Sequence, residues 1–316
     1  MAYYIGLDLG GTNIKGGLVD DNANAVAEQT IATEAAHGPP HVMDRLAALS
    51  SDLLKQAGLK LDQITGIAVG TPGPLSADQS VVLSAPNMPG WKNIPLRDEL
   101  SKRIGRHVAV VNDANAAAYG EFWAGAGRVT SIKHLVLLTL GTGVGGGVVI
   151  AGRIFAGAHG AGTELGHTII EPKGLPCGCG QYGCLEQYTS ATGIAKAAQR
   201  RLDAGAKTSL QKGATSKDIF TAAQAGDAVA LEIVDEFAGY LGIACVNFVR
   251  IFDPQMIVIG GGVVAAGDFL IKRIRRVFEE RTWKVRPERV VIEAAKLGNR
   301  AGFIGAAGMS GSEPIG

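Results

Sequence analysis

Two stretches of this chain repeat one plan, and that repetition restricts the fold more than any other feature. YYIGLDLGGTNIKGGLVD, residues 3–20, and HLVLLTLGTGVGGGVVIAGR, residues 134–153, each read as an apolar strand, a glycine turn and a second strand. Their places near the start of each half predict two related α/β domains with a cleft between them. The chain has 316 residues and 47% hydrophobic content, enough for two cores. Glycines at strand ends permit positive φ and leave N–H groups exposed, a geometry that cradles phosphate oxygens. Both turns are therefore candidates to face one nucleotide.

Two common phosphate motifs are excluded. Gly141, Gly143 and Gly146 satisfy G-x-G-x-x-G. A dinucleotide fold needs a helix directly after those glycines, whereas VVIAGRIF continues as strand. A Walker A sequence is absent, since Lys15 is followed by Gly16 and not by Ser or Thr. Lys15 reads as a solvated strand lysine, with phosphate contact as the alternative.

Between the hairpins, ITGIAVGTPGP (64–74) reads as a strand entering a Pro-rigid loop, and HVAVVNDANAAAYGEFWAG (107–125) as a strand running into a helix. Asn112 and Asp113 sit at that junction. They suit a catalytic carboxylate beyond a buried strand, and equally an ordinary N-cap, which local pattern favours. Leu231, Val234, Phe237, Leu241, Cys245, Phe248 and Ile251 recur at three and four, predicting a long helix with a core face that stops at Asp253-Pro254. MIVIGGG reads as a strand ending at Gly260, Gly261 and Gly262, which either bring backbone against a flat ligand such as adenine or form a tight turn into the helix carrying Leu270, Ile274, Val277 and Phe278. Residues 202–217 read as a polar surface excursion.

His167, Cys177, Cys179 and Cys184 place four soft or borderline metal ligands within eighteen residues. Three thiolates and an imidazole suit Zn2+ and fill a tetrahedral shell, the mark of a structural ion. A disulfide or a set of small buried residues is the competing reading. The N-terminus lacks a signal-peptide pattern and reads as strand, so a cytoplasmic compartment and a metal are expected. Glu164 and Glu186 flank this cluster and predict a polar pocket. Lys and Arg total 30 against 29 Asp and Glu, with no run of like charge, so nucleic acid is not an expected partner. No apolar run approaches eighteen residues, so neither is a membrane.

In order, D8-L-G-G-T12, N112-D113, L140-G-T-G-V-G-G-G147, E164-L-G-H167, C177-G-C-G-Q-Y-G-C184-L-E186 and G260-G-G262 resemble the ROK family of sugar kinases and repressors, most closely its bacterial glucokinases. The likeness runs across nearly the whole length. It implies a duplicated actin-like ATPase (ribonuclease H-like) α/β fold. Residues 1–119 would form a small domain, joined by a C-terminal helix at about 300–316 that packs back on it, and residues 120–299 a large domain with the zinc site. It implies ATP-dependent phosphorylation of a hexose, glucose foremost, at the 6-hydroxyl. Asp113 matches the catalytic base, which overturns the cap reading. Gly73, Asn87, Asn112, Asp113, Glu164, His167 and Glu186 match sugar-binding positions, and His167, Cys177, Cys179 and Cys184 match the ligands of one structural Zn2+, so that His167 touches both metal and sugar.

Asp8 would hold Mg2+ through water, Gly10, Gly11, Thr12, Gly141, Thr142 and Gly143 the phosphates of ATP, and Gly260 to Gly262 the nucleotide's flat end. A homo-oligomer, dimer or tetramer, is expected by the same likeness. Kinases for N-acetylmannosamine, mannose, fructose or allose share the framework, and polyphosphate is an open alternative donor. The repressor branch carries an N-terminal helix-turn-helix for which a first strand at Tyr3 leaves no room. A non-catalytic sensor would be expected to lose Asp113 or the phosphate glycines, and both are present.

Overall fold

In the computed structural model, residues 1–311 are described, apart from Pro86, Thr130 and residues 286–288. The first hairpin forms as its apolar pattern requires. β1 (Tyr3–Leu9) and β2 (Asn13–Asp20) pair antiparallel from Tyr3 opposite Asp20 to Leu9 opposite Ile14, around the turn at residues 10–12. β3 (Ala25–Ala32) continues the sheet outward, and β4 (Gly66–Thr71) lies parallel to β1 on its other side. A small hairpin, β5 (Val82–Ser84) and β6 (Lys92–Ile94), precedes β7 (Ala109–Asn112), which runs parallel to β4. The sheet order is β3-β2-β1-β4-β7.

The central strands are apolar on both sides because both faces are covered. On one face α1 (Pro39–Ala57) buries Val42, Met43, Leu46, Leu49 and Leu53, with α2 (Leu96–Ile104) beside it. α3 (Asp113–Trp123) follows β7 directly.

The second sheet is built from β8 (Leu135–Leu140), β9 (Val144–Ile150), β10 (Arg153–Ile154), β11 (Met256–Gly260) and β12 (Val291–Ala294), in the order β10-β9-β8-β11-β12. In both sheets the strands, counted along the chain, stand third, second, first, fourth and fifth. The duplicated plan in the sequence is thus a duplicated sheet.

Its helices are α4 (Glu186–Thr189), α5 (Ala191–Asp203), α6 (Ser216–Gln224), α7 (Ala228–Phe252) and α8 (Asp268–Arg281). α7 ends at Asp253, in left-handed conformation ahead of Pro254. Its N-cap, Asp227, accepts from Ala230 N at 3.0 Å and from Ser209 N at 2.6 Å, which pins the polar excursion between α5 and α6. The Ser209 N–H, above all, holds the Asp227 carboxyl below the usual carboxylate range. Cys245 is a fully buried core thiol, whereas Ile251, expected on the core face, is 65% exposed in the last turn. No helix among the described residues is long and apolar enough to cross a membrane.

Chain contacts divide the protein into two compact units. One comprises Met1–Leu135, Gly147–Thr163 and Lys296–Gly316, and the other Val136–Gly146 and Glu164–Ala295. The first includes α9 (Ala301–Met309), which packs on β1, β2, β4 and α3. The remainder of the C-terminal helix expected from the sequence, residues 312–316, lies outside the described residues. α3 and α9 cross with their backbones almost touching: a Cβ on Gly305 would overlap the Ala116 carbonyl, and one on Gly120 the Ala301 carbonyl. Glycine is required at both because no neighbour there is a movable side chain.

Beside this crossing lies Glu121, fully buried. Its carboxylate accepts from Ala126 N at 2.9 Å, Lys296 N at 3.0 Å and Leu297 N at 2.7 Å, tying the end of α3 to the chain that leads into α9. A carboxylate can accept all of these, and an amide would turn donors toward donors. Glu121→Gln should therefore cost on the order of 3 kcal/mol in urea unfolding. A change below about 0.5 kcal/mol would show that water replaces these contacts.

Candidate active site

In the first unit β1, β4 and β7 are parallel, so the segments after Leu9, Thr71 and Asn112 emerge at one edge of the sheet. This is the edge where open α/β sheets place ligands. It carries Asp8 and the Gly10, Gly11, Thr12 turn after β1, Gly73 in the loop after β4, and Asn112 and Asp113 after β7. The segment containing Asn87 comes to the same place, its carbonyl 3.6 Å from where a Gly11 Cβ would stand.

At the β7–α3 junction the cap falls to Asn112 and not to Asp113. Asn112 is the N-cap, its Oδ1 accepting from Ala114 N at 3.0 Å and Asn115 N at 3.1 Å. Asp113 is the first helical residue. Its Oδ1 accepts from Ala114 N at 2.8 Å, which orients the carboxylate at the positive end of α3.

Asp8 is half-buried where α9 begins, against Gly302, which leaves room for its carboxylate. Burial pushes the Asp8 carboxyl above its ordinary value, and the Lys15 ammonium, 4.0 Å away on the neighbouring strand, pulls it back. Lys15 also donates to Asn299 Oδ1 at 3.4 Å. It is held as the partner of Asp8, a role its sequence position did not announce.

In the second unit Gly141, Thr142 and Gly143 turn between β8 and β9. The Gly141 carbonyl accepts from Ala191 N at 2.8 Å, and the Thr142 carbonyl from Thr192 Oγ1 at 2.8 Å. Gly260, Gly261 and Gly262 form a strand-to-helix turn. Gly261 has φ of 89° and lies so close to the Leu140 backbone that a Cβ would collide with it, whereas Gly262, like Gly141, has open space where a side chain would be. The tight-turn reading of this triplet thus holds at Gly261, and Gly262 leaves its backbone open.

Glu164 is exposed and opens the short turn Leu165–His167. Glu186 begins α4, its Oε2 accepting from Val144 N at 3.0 Å and its Oε1 3.9 Å from Cys177 Sγ. One carboxylate therefore touches both the glycine turn and the thiol cluster, a link no sequence spacing discloses.

The ligand atoms of His167, Cys177, Cys179 and Cys184 all lie within 4.8 Å of one another. Cys177 Sγ is 3.7 Å from His167 Nδ1, and Cys179 Sγ is 3.6 Å from Cys184 Sγ. A tetrahedral zinc shell with sulfur at ~2.3 Å and nitrogen at ~2.0 Å sets its ligands ~3.5–3.8 Å apart, so these two separations fit that ion and the four residues are the donors that would hold it. They do not fit the disulfide reading, since all the cysteines are free thiols and a bridge requires about 2.0 Å. Burial pushes the Cys184 thiol up to about 12, so a cation here displaces a proton.

The model of the ROK family matches residues 4–312. The chain belongs to the ROK family. Among curated proteins it is similar to a glucokinase of Halalkalibacterium halodurans, 42% identical over 311 residues that cover 96% of this chain and 93% of that protein. Among solved structures it is similar to a ROK hexokinase from Thermus thermophilus, at 34% identity and a TM-score of 0.82 with 96% of each chain covered. It is also similar to a ROK family glucokinase from Streptomyces griseus in complex with glucose and AMPPNP, at 34% identity and a TM-score of 0.79, covering 98% of this chain and 99% of that one. This ROK protein accordingly has the actin-like ATPase fold, which its twice-used strand order expresses.

Proposed function

We propose that this ROK protein is an ATP-dependent glucokinase that transfers the γ-phosphoryl group of ATP to the 6-hydroxyl of glucose. The observation that carries the reading is the single sheet edge holding both an oriented carboxylate, Asp113, and a glycine turn, Gly10 to Thr12. Likeness to glucokinases over 96% of the chain supports the choice of sugar.

Phosphoryl transfer asks a protein to align the attacking oxygen and to neutralise charge. Asp113 orients the 6-hydroxyl and takes its proton as the new O–P bond forms, while the bond from phosphorus to the bridging oxygen breaks and ADP leaves. Asp8 would hold Mg2+, which would neutralise charge on the phosphates. Gly10, Gly11, Thr12, Gly141, Thr142 and Gly143 receive phosphate oxygens, and Gly260 to Gly262 the adenine end.

Gly73, Asn87, Asn112, Glu164, His167 and Glu186 are assigned to the sugar. With its Oδ1 committed to α3, Asn112 would contribute its amide nitrogen. His167 turns Nδ1 to the thiols, so Nε2 would meet a hydroxyl. A buried partner left unpaired by an inverted or missing hydroxyl makes such a site stereoselective. His167, Cys177, Cys179 and Cys184 would hold one Zn2+, which fixes the backbone of their loop. The reading includes a cytoplasmic homo-oligomer, on the likeness to the family.

A coupled ADP-release assay with ATP and Mg2+ tests it across glucose, mannose, fructose, N-acetylglucosamine and N-acetylmannosamine; with polyphosphate as a second donor, which releases no ADP, formation of the sugar phosphate is followed instead. Glucose should give the highest kcat/KM. A higher value for another hexose would reassign the substrate, and no turnover on any would overturn the kinase reading.

A further inference from the structure

Thr33, which carries no motif and lies just beyond β3, is fully buried. Its hydroxyl donates to the Gly10 carbonyl at 2.6 Å, and its N–H donates to the Thr12 carbonyl at 2.8 Å. Both ends of the Gly10 to Thr12 turn are thus gripped from one side by a single residue. A trans peptide is planar, with its C=O and N–H pointing in opposite directions. Fixing the Gly10 carbonyl on Thr33 therefore turns the Gly11 N–H directly away from Thr33. The N–H groups of Gly11 and Thr12 make no hydrogen bond among the described residues, and both residues are exposed.

The anchor is itself anchored. Arg45 Nε donates to the Ala32 carbonyl at 2.7 Å, and Glu34, in left-handed conformation, binds His41 Nε2 at 2.7 Å and Arg45 Nη1 at 3.1 Å. In the second glycine turn two carbonyls are held as well, Gly141 and Thr142, there by two residues, through Ala191 N and Thr192 Oγ1.

The geometry points to Thr33 as the positioning residue that aims the Gly11 N–H at a phosphate oxygen of the nucleotide. It touches no substrate itself. The inference rests on the assignment of the Gly10 to Thr12 turn to phosphate, and it adds a determinant of nucleotide affinity outside the motif.

Thr33→Val keeps the volume and the backbone N–H bond and removes the hydroxyl, while Thr33→Ser keeps the hydroxyl. Thr33→Val should raise KM for ATP by about tenfold, with a parallel rise in the calorimetric Kd for Mg-ADP, and leave KM for glucose within about twofold. Thr33→Ser should stay near wild type in all three. A valine variant that melts earlier yet binds Mg-ADP as tightly as wild type would overturn the proposal and leave Thr33 a packing residue. Equal losses of ATP and glucose affinity, or no rescue by serine, would overturn it too. Wild type that binds Mg-ADP without phosphorylating a sugar would sink the glucokinase reading alone, and wild type that binds no nucleotide would sink both.

Discussion

Asp113→Asn is expected to lower kcat for glucose phosphorylation by about a thousandfold while changing the Kd for glucose by less than about fivefold. Asparagine keeps the size of the side chain and its acceptor oxygen toward Ala114 N, so the turn into α3 should persist. Asn112, not Asp113, supplies the N-cap, so the cap of α3 is kept in the variant. The lost capacity is narrow: an amide cannot accept the proton of the 6-hydroxyl as that oxygen attacks phosphorus. The expected signature is a collapse of kcat with ground-state binding nearly intact, measured by stopped-time ADP release and by calorimetry with glucose. A kcat within tenfold of wild type would remove Asp113 from proton transfer and leave it as an orienting group. Loss of glucose binding together with helicity would show that the cap argument had been misassigned.

That separation of neighbours also marks how far the sequence could be read. N112-D113 after an apolar strand admits a cap or a catalytic carboxylate, and the structure gives the cap to Asn112, which leaves Asp113 for the proposed catalytic role; local pattern has no means to allot the two. The duplicated hairpins were legible because strand periodicity and glycine turns are local signals, and they led to two sheets with one strand order. α7 was legible to its last residue because Asp253-Pro254 must end it, although Ile251 continues the apolar period into solvent. Thr33, Glu121 and Lys15 were not legible as they stand. Thr33 acts on a turn 23 residues earlier, and Glu121 on N–H groups 175 and 176 residues later, and such tertiary hydrogen bonds leave no periodic trace. Lys15 faces Asp8 through strand register, which composition cannot supply. The gathering of His167, Cys177, Cys179 and Cys184 was legible because four candidate ligands in a short span are their own signal.

Removal of the Zn2+ proposed at this cluster should have the other large effect. The segment from His167 to Cys184 has little regular structure beyond the bridges Ile169 to Cys184 and Pro176 to Tyr182. Its large apolar residues give it little core, since Ile169 is 57% and Tyr182 62% exposed and Ile170 and Leu175 are only half-buried. A loop without a core of its own needs another source of folding free energy, and a structural zinc supplies on the order of 10 kcal/mol. Glu186 follows two residues after Cys184 and is held by Val144 N on one side and lies beside Cys177 on the other, so loosening the thiols releases the carboxylate assigned to the sugar and its grip on the glycine turn. Cys184→Ala, or wild type stripped with a strong chelator, is therefore expected to lose its bound zinc, melt several degrees earlier, and bind glucose about tenfold or more weakly. Re-addition of Zn2+ should restore the chelated wild type and not the variant. Elemental analysis read beside glucose calorimetry decides the matter: a metal-free protein with wild-type glucose affinity would mean that hydrogen bonds alone hold Glu186 and His167 in place, and the four ligands would then serve stability without serving the sugar.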